Sequence, residues 1–445
     1  MKRFVDAWGP VLLTLCWIQF TVVWLWPPSR AFTQEMLSLP QDKPFAAPFQ
    51  YALWAAIVLT TAHLIRLRGL GFFDDTAFFF PYFMCLLVSS VLGVSVMPSL
   101  RLSVLWLLSV LAGALIANVL DQRRLIGVLG ALIAATMVAS LLMFYVVPDI
   151  GSDRYAGAIV LRGLFDNKNQ AGRIAGLSLA IIVAFRRDLP ASLKYTGLVA
   201  ATACLILSDS KTALVGAALS SAYLLFVSAL RRRMSAGLGG LTLGVALLVL
   251  VALAALLGPL LAGAIGRDLT FTGRTEVWSA YLRALEHDPA FGMGPGSYTS
   301  VSPLTVPIAL KFVSMGAIFS PHNFFIGTLG DLGLPGLACV VCMLLYVAVY
   351  LPLHFGDRFA FACAGVGVST IVQGAGETLD VATGGATWFL LSLFLACHLH
   401  ERAGTGRFDA VRNPGAVGLR RPSADRAAAR EGQEKTLDDL RLEVR

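Results

Sequence analysis

The stretch LIGVLGALIAATMVASLLMFYVV, residues 125–147, runs for 23 residues without a charged side chain. A helix of about 20 apolar residues is long enough to cross the hydrocarbon core of a bilayer, which is about 30 Å thick. Inside that core every backbone polar group must be satisfied within the protein, so only helices and closed barrels can cross it. The run is too long and too continuous for a barrel strand and therefore predicts a transmembrane helix.

Eleven further apolar runs extend the same pattern over most of the chain. Of the 445 residues 57% are hydrophobic and 14% are charged, whereas soluble domains carry about 25% charged residues. This composition excludes an ordinary soluble domain and predicts an all-α polytopic membrane protein with about 12 transmembrane helices. The twelve runs cover residues 8–26, 49–65, 76–98, 103–120, 125–147, 170–185, 195–207, 212–230, 236–265, 336–353, 359–375 and 384–400.

Basic residues in the short connections predict the orientation of these helices, since cytoplasmic loops carry an excess of Lys and Arg. With the N-terminus in the cytoplasm, Arg123-Arg124 and the triplet at 231–233 also face the cytoplasm, and so does the C-terminus. The net charge of +8 is then an orientation signal and not a sign of nucleic-acid binding. The first run is not followed by a small-residue cleavage site, so we expect it to remain as a helix.

One long polar interval lies on the outer side, and a charged segment ends the chain. The interval is expected to form a loop domain, and the end segment to be a disordered cytoplasmic tail. The predicted parts are residues 1–265 with helices one to nine, the loop domain 266–335, residues 336–400 with the last three helices, and the tail 401–445.

The loop contains the stretch TEVWSAYLRALEHD, residues 275–288, which predicts an amphipathic helix on or near the membrane surface. Its apolar face consists of Val277, Trp278, Tyr281, Leu282 and Leu285. Arg274 stands directly before this helix. Helix N–H groups and a guanidinium together suit a diphosphate, although Arg274 could instead pair with Glu276 or Asp268.

Other basic residues also lie on the outer side, against the orientation rule, which indicates a local purpose. Arg173 stands early in an otherwise apolar helix and shares a face with Asn169; the alternative is that it extends to the lipid headgroups. Arg162 and Lys168 belong to the same segment. Lys211, in the turn SDSK at 208–211, is either a point charge for an anion or the partner of Asp209.

His322 follows Pro321 at the edge of the long polar interval, where a helix is expected to start. A neutral imidazole at such a position can accept a proton from a hydroxyl group; the alternative is a structural histidine. The sequence has no phosphate-binding GxxxxGK[ST] loop and no HExxH motif, so we expect neither nucleotide hydrolysis nor a metal or other cofactor.

Four stretches in this order resemble the O-antigen ligase/polymerase superfamily of bacterial membrane glycosyltransferases. The resemblance covers about residues 148–340, and each motif by itself is weak. The stretches are RGLFDNKNQAG (162–172), SDSKTA (208–213), TGRTEVW (272–278) with DPAFGMGPGSY (288–298), and HNFFIGTLGDLGLPG (322–336).

The resemblance implies a GT-C-like fold and transfer of a glycan from undecaprenyl diphosphate to an acceptor sugar hydroxyl, at the periplasmic face of the inner membrane. His322 then matches the catalytic base and Arg274 a diphosphate-binding Arg. Lys211 stands where many members have a second Arg, but Lys cannot make a bidentate contact. Arg173 and Lys168 are therefore candidates to share that role.

The resemblance leaves the acceptor open. An exopolysaccharide-type polymerase is favoured over a lipopolysaccharide O-antigen ligase, with a protein O-oligosaccharyltransferase as a third option. The implied partners are the lipid-linked donor, the bilayer, and a sugar, lipid A-core or polysaccharide acceptor. Two readings from other classes remain: a transporter or flippase of lipid-linked oligosaccharides, and a scaffold of a polysaccharide assembly complex.

Overall fold

The computed structural model describes residues 2–21, 46–155, 157–165, 167–233, 274–285, 290–298, 321–377 and 385–402. Residues up to His398 form one compact unit. A second unit begins at Leu399, and only residues 399–402 of it are described. The predicted helix over 236–265 and residues 403–445 of the predicted tail lie outside the described residues.

Each of the eleven apolar runs within the described residues corresponds to a helix. The helices are α1 (Lys2–Thr21), α2 (Ala46–Arg68), a 3₁₀ segment (Gly71–Phe79) leading into α3 (Phe80–Leu92), α4 (Val96–Val119), α5 (Gln122–Val146), α6 (Pro148–Gly151), α7 (Lys168–Ala184), α8 (Ala191–Leu207), α9 (Lys211–Arg233), α10 (Arg274–Ala284), α11 (Phe324–Leu345), a π-helical turn (Tyr346–Tyr350), α12 (Leu351–His354), α13 (Arg358–Gly374) and α14 (Ala386–Arg402).

Many of these helices have the length and composition of membrane spans. Within the described residues, five stretches are long and apolar enough to cross a bilayer: Gly71–Leu92, Val96–Val119, Gln122–Val146, Lys211–Arg231 and Phe324–His354. Three shorter helical stretches are also apolar: Ala7–Thr21, Tyr51–Leu67 and Ala191–Leu207. The chain is accordingly a multi-pass helical membrane protein. The number of twelve spans and the domain limits remain predictions.

A small hairpin departs from the all-α prediction. Strand β1 (Ser152–Tyr155) pairs antiparallel with β2 (Ala158–Leu161), and Asp153 lies opposite Val160. The sequence of β2, AIVL, includes β-branched residues, which favour strands. Four residues are too few to show a helical or alternating period, so the sequence did not reveal the hairpin.

Helix α7 packs against α8, α9 and α13, and small residues allow these helices to approach closely. Gly216 on α9 faces the side chain of Gln373 on α13. A Cβ at residue 216 would lie 2.7 Å from Cγ of Gln373, far inside van der Waals contact. This close packing fixes the ends of α7, α9 and α13 relative to one another, and the candidate site lies at those ends.

Helix α11 starts at Phe324, twelve residues before the apolar run that predicted it. The stretch GTLGDLGLPG, most of which was placed in the predicted loop domain 266–335, belongs to this helix, which continues through a break at Gly333 (φ 67°, ψ −168°). The segment 290–298 lies against this break: Met293 N donates to Gly330 O (2.8 Å) and Gly294 N to Asp331 O (3.0 Å). The backbone groups near the break thus find partners outside the helix.

The same segment connects α10 to α11. Oδ1 of Asp331 accepts a hydrogen bond from Tyr298 N at 3.0 Å, and the Tyr298 hydroxyl donates to Tyr281 O on α10 at 2.7 Å. The described part of DPAFGMGPGSY, residues 290–298, and the stretch GTLGDLGLPG therefore form one packed structure, although they are separated in sequence.

The amphipathic face of α10 is confirmed in part. Val277, Tyr281 and Leu285, spaced by four, are buried with Met293 and Tyr298. The prediction is wrong for Leu282, which is 42% exposed. Its side chain lies about 100° around the helix axis from the buried Tyr281 and therefore outside the packed face. The apolar stripe of α10 packs on protein.

Candidate functional site

Polar side chains converge where several helix ends meet. The meeting elements are the N-terminus of α7, the turn between α8 and α9, the segment before α11 and the end of α13. Side-chain contacts join them in pairs: Lys168 with Asp209, and His322 with Glu377. We call this region the His322 end of the bundle.

His322 and Glu377 form the central pair. Nδ1 of His322 lies 3.2 Å from Oε2 of Glu377, and the two side chains are 25% and 16% exposed. His322 has a φ of +42°, a left-handed conformation that is uncommon for residues other than glycine. The imidazole is thus held on one side by a carboxylate while part of the ring faces the solvent.

The backbone around His322 is fixed from both sides. On one side the Trp278 indole of α10 donates to Pro321 O at 2.6 Å. On the other, Asn323 caps α11 by accepting from Phe325 N and Ile326 N, and its amide donates to the carbonyl of residue 375 at 3.2 Å. These bonds hold the strained residue in place between α10 and α13.

Lys168 occupies the second half of the His322 end. Its Nζ lies 3.8 Å from Oδ2 of Asp209 and 3.4 Å from the ring centre of Tyr155 on the hairpin. Burial lowers the pKa of Lys168 below its ordinary value, and Lys211 adds to this effect, while Asp209, Asp153 and Glu377 oppose it. Glu377 is thus among the charges that act on Lys168, although its effect is the smallest of these.

Lys211 is exposed at the first position of α9, directly after Ser210. The carboxylate of Asp209 (φ +47°) pairs with Lys168. Within the part of the chain that the structure describes, no hydrogen bond or ion pair involves the Lys211 side chain. The ammonium group is thus available to an anion.

Arg162 lies elsewhere, inside the protein. Its side chain is 2% exposed, its guanidinium lies 3.5 Å from the Asp153 carboxylate, and it donates to Ile150 O. Asp153 also accepts from the backbone N of Lys168 at 3.0 Å. Arg162 thereby anchors the hairpin to the start of α7; a direct contact with substrate remains a prediction.

Arg173 and Asn169 lie on α7 and are half-buried. Arg173 lines a small cleft of about 30 Å³ together with residues of α11, α13 and α14. Arg274 is the first residue of α10, but its side chain lies outside the described residues. Lys211 and Glu377, the partner of His322, are both among the charges that act on Lys168. The cleft beside Arg173 reaches Phe324, two residues after His322.

Glu377 was missed as a site residue by sequence reasoning. It is 55 residues away from His322 along the chain, so no local motif connects them. The available signal was a carboxylate at the end of a helix that is otherwise apolar, since an ionisable group in such a place is a functional candidate. Among the described residues, no group of three or more His, Cys, Asp or Glu side chains could hold a metal ion.

Comparison with known proteins finds one family model and one distant relative that are similar to parts of this chain. Residues 196–375 match the family described as O-antigen ligase, and this interval includes Lys211, Arg274 and His322. The exopolysaccharide production protein ExoQ of Rhizobium meliloti (strain 1021) is 26% identical over 310 residues, which are 66% of this chain and 68% of that protein. The family match and this relative support the resemblance of the four motifs to the O-antigen ligase/polymerase superfamily and to proteins of polysaccharide biosynthesis.

Proposed function

We propose that the protein transfers a glycan from undecaprenyl diphosphate to an acceptor sugar hydroxyl, at the periplasmic face of a bacterial inner membrane and with both termini in the cytoplasm. The observation that carries the proposal is the His322–Glu377 pair, partly exposed near the cations of α7 and α9. No step of the proposed reaction requires a metal ion or a nucleotide.

The pair supplies the proton acceptor. When Nδ1–H of His322 donates to Glu377, Nε2 carries a lone pair and can take the proton of an acceptor hydroxyl. The acceptor oxygen then attacks the anomeric carbon, and the bond between that carbon and the diphosphate oxygen breaks. Glu377 orients the ring and stabilises the imidazolium that forms, as a carboxylate partner does in other histidine-dependent transferases and hydrolases.

The nearby cations suit the leaving group. A diphosphate gains negative charge as its bond to the sugar breaks, and cations placed beforehand stabilise that charge most effectively. Lys211, exposed and without a carboxylate partner among the described residues, is the group best placed for this role. Arg274 is proposed as the second, because it begins the helix that holds Pro321 through Trp278.

Polymerisation is favoured over ligation. The relative is named an exopolysaccharide production protein, which supports a reaction between two copies of a lipid-linked repeat unit. In such a reaction the acceptor is the glycan on a second lipid carrier, so the product lengthens stepwise. A ligase would instead use lipid A-core as acceptor.

The test is a product analysis with the purified full chain in lipid bilayers, supplied only with the undecaprenyl diphosphate-linked repeat unit of its host. A polymerase produces a ladder of longer lipid-linked glycans. His322→Gly should abolish the ladder, whereas His354→Gly, which changes an exposed histidine on α12, should leave it intact. Glycine is the suitable replacement at residue 322 because it tolerates the positive φ.

Other outcomes would revise the proposal. Turnover only after addition of lipid A-core, or of a protein, would identify a ligase or an oligosaccharyltransferase. Movement of the lipid-linked unit across the bilayer without any new glycosidic bond would favour a transporter and contradict the proposed chemistry.

A further inference from the structure

Lys168 joins three elements of the His322 end: α7, the hairpin, and the turn between α8 and α9. Its backbone N donates to Oδ2 of Asp153 on β1 at 3.0 Å, and its Nζ lies 3.4 Å from the ring centre of Tyr155 on the same strand. The same Nζ lies 3.8 Å from Oδ2 of Asp209 and donates to the Asp209 carbonyl at 3.5 Å. The side chain therefore bridges the hairpin and the turn.

These contacts enclose the ammonium group of Lys168. A carboxylate, a carbonyl oxygen and the face of an aromatic ring all attract a cation. The Lys168 side chain is 13% exposed. Lys211, in contrast, is exposed, and its side chain forms no hydrogen bond or ion pair among the described residues. An ammonium group has three donors, and those of Lys168 already face protein groups, so the two lysines are suited to different tasks.

The turn that Lys168 contacts is strained. Asp209 has a φ of +47°, a left-handed conformation that residues other than glycine rarely adopt, although Asp tolerates it better than most. Such a conformation persists only where surrounding contacts impose it. The Lys168 ammonium supplies two of these contacts, one to the carboxylate and one to the carbonyl of Asp209.

Close packing fixes the rest of the turn on α7. Lys168 and Gly172 are spaced by four and share a face of that helix. A Cβ at residue 172 would lie 2.6 Å from Cβ of Ser210 and 2.8 Å from Oγ of Ser208, far inside van der Waals contact. Both serines are buried. The residues on either side of Asp209 are thus packed against Gly172, while Lys168 holds Asp209 itself.

The turn leads directly into the cation that the proposed reaction uses. Lys211 is the first residue of α9, and only Ser210 stands between it and Asp209. The carbonyl of Ser210 accepts from Leu214 N at 2.9 Å, so the helical hydrogen bonds of α9 begin immediately after Asp209. A change in the backbone at Asp209 therefore redirects the start of α9 and with it the Lys211 side chain.

We propose that Lys168 is a positioning residue: it holds Asp209 in the left-handed conformation that presents Lys211 to the diphosphate, and it does not contact the diphosphate itself. This replaces the direct share in diphosphate binding that the resemblance suggested for Lys168. The inference rests on the proposed function, because it explains how Lys211 is placed for the leaving group. It also gives the hairpin a part in the site, since Asp153 and Tyr155 hold Lys168 from the other side.

The first experiment is hydrogen–deuterium exchange of the full chain in lipid nanodiscs, measured by mass spectrometry on peptides that cover residues 206–214. Lys168→Gln should make the turn exchange about tenfold faster, because three contacts that are individually weak are lost together. Lys168→Arg should keep most of the protection, since a guanidinium can also lie over the ring and beside the carboxylate.

Lys194→Gln is the matched control for the exchange measurement. Nζ of Lys194 lies 4.8 Å from the ring centre of Tyr195, so this residue also places an ammonium over a tyrosine near the start of a helix. It lies in the first turn of α8, at the opposite end of that helix from Asp209. Its replacement should leave the exchange of residues 206–214 unchanged.

The second experiment measures the binding of inorganic diphosphate, from the protection that it gives Lys211 against acetylation by acetic anhydride. Lys168→Gln should weaken this binding about threefold to tenfold, because the competent turn is then less populated. In the Lys168→Gln background, Asp209→Gly should restore the affinity to within about twofold of wild type, because glycine tolerates the positive φ. Asp209→Ala should not restore it. Both changes remove the carboxylate, so the difference between them reports the backbone and not the charge.

Two results would overturn the inference. One is a wild-type exchange rate of the turn in Lys168→Gln. The other is equal diphosphate affinity of Asp209→Gly and Asp209→Ala in the Lys168→Gln background, which would make Lys168 an electrostatic partner of the diphosphate. The exchange measurement needs neither diphosphate nor turnover. Faster exchange in Lys168→Gln without protection of Lys211 by diphosphate in wild type would support the hold of Lys168 on the turn and contradict only the diphosphate site of the proposed function.

Discussion

The two ends of the helical bundle each contain a histidine paired with a carboxylate, and the pairs differ in what surrounds them. At one end His322 Nδ1 lies 3.2 Å from Glu377, with side chains 25% and 16% exposed. At the other, which we call the His398 end, His398 Nδ1 lies 2.7 Å from Asp357, and the His398 side chain is 1% exposed.

The His398 pair is built into the structure. Asp357 caps α13 by accepting from Phe359 N and Ala360 N, and the His398 ring packs against Phe355 with centroids 5.0 Å apart. Neither face of this imidazole is open to a substrate. The comparison teaches that a histidine–carboxylate pair indicates catalysis only where the ring is accessible and beside groups that suit the rest of the reaction.

The largest expected effect separates the two histidines by function. His322→Gly should lower the rate of glycosyl transfer by at least about 100-fold, the usual contribution of a general base, with little change in thermal stability. His398→Gly should lower the melting temperature by several degrees, because it opens a cavity and leaves Asp357 without a buried partner. Transfer assays and thermal melts of both variants in the same lipid measure the contrast. If both variants lost the same fraction of activity per folded molecule, the two histidines would not differ in function.

The next effect concerns the two carboxylates. Glu377→Gln keeps the shape of the side chain but removes the charge that stabilises an imidazolium, so the turnover number should fall about tenfold to hundredfold. Asp357→Asn retains a good helix cap and should leave turnover within about twofold. Steady-state kinetics at saturating donor report both values. A Glu377→Gln enzyme with wild-type turnover would assign Glu377 a purely structural role.

A smaller effect is expected for the cation beside the pair. Lys211→Ala should lower the transfer rate about tenfold, because an ammonium that stabilises the leaving diphosphate is removed. Lys194→Ala is the matched control, since Lys194 lies in the first turn of α8, away from the His322 end, and contacts only Tyr195 among described aromatic rings. The transfer rates of the two variants are measured in the same lipid composition. A larger loss of rate in Lys194→Ala than in Lys211→Ala would contradict the placement of the diphosphate beside Lys211.

The smallest effect is a pH dependence of the His398 end. Burial raises the pKa of Asp357, but hydrogen bonds from His398 and from Ala360 N lower it more, so the net value is below the ordinary 3.8. The associated stability is present above pH 3.8 and is lost as the pH falls through the lower folded-state value. Melting temperatures of wild type should therefore drop by about 2–4 °C more than those of Asp357→Asn on acidification below pH 4. If the melting temperatures of wild type and Asp357→Asn fell by the same amount below pH 4, the assignment of this stability to the Asp357 carboxylate would be contradicted.

Much of the fold could be predicted from the sequence. Runs of about 20 apolar residues have few alternatives to a helix, and the run 125–147 corresponds to α5, Gln122–Val146. The helix start expected at His322 agrees with α11, which begins at Phe324, whereas the apolar run marked this helix only from residue 336 onwards. Only the docking of segment 290–298 explains how the helix continues.

The candidate site was predictable in its cations and its histidine, and less so in their contacts. Lys168, Lys211 and His322 were found because polar groups are rare in this chain. Local sequence could not show that Asp209 pairs with Lys168 rather than with Lys211, nor that Glu377 reaches His322. Such pairings depend on how α7, α9, α11 and α13 pack together, and packing is set by contacts distant in sequence.

The most direct test of His322 as the proton acceptor is chemical rescue. His322→Gly leaves a space beside Glu377 without straining a backbone that already has a positive φ. Purified His322→Gly in lipid is assayed for glycosyl transfer with increasing imidazole. The account predicts a low residual rate that rises saturably, about tenfold or more, as imidazole fills the space and takes the proton. A wild-type rate in His322→Gly without imidazole would contradict it.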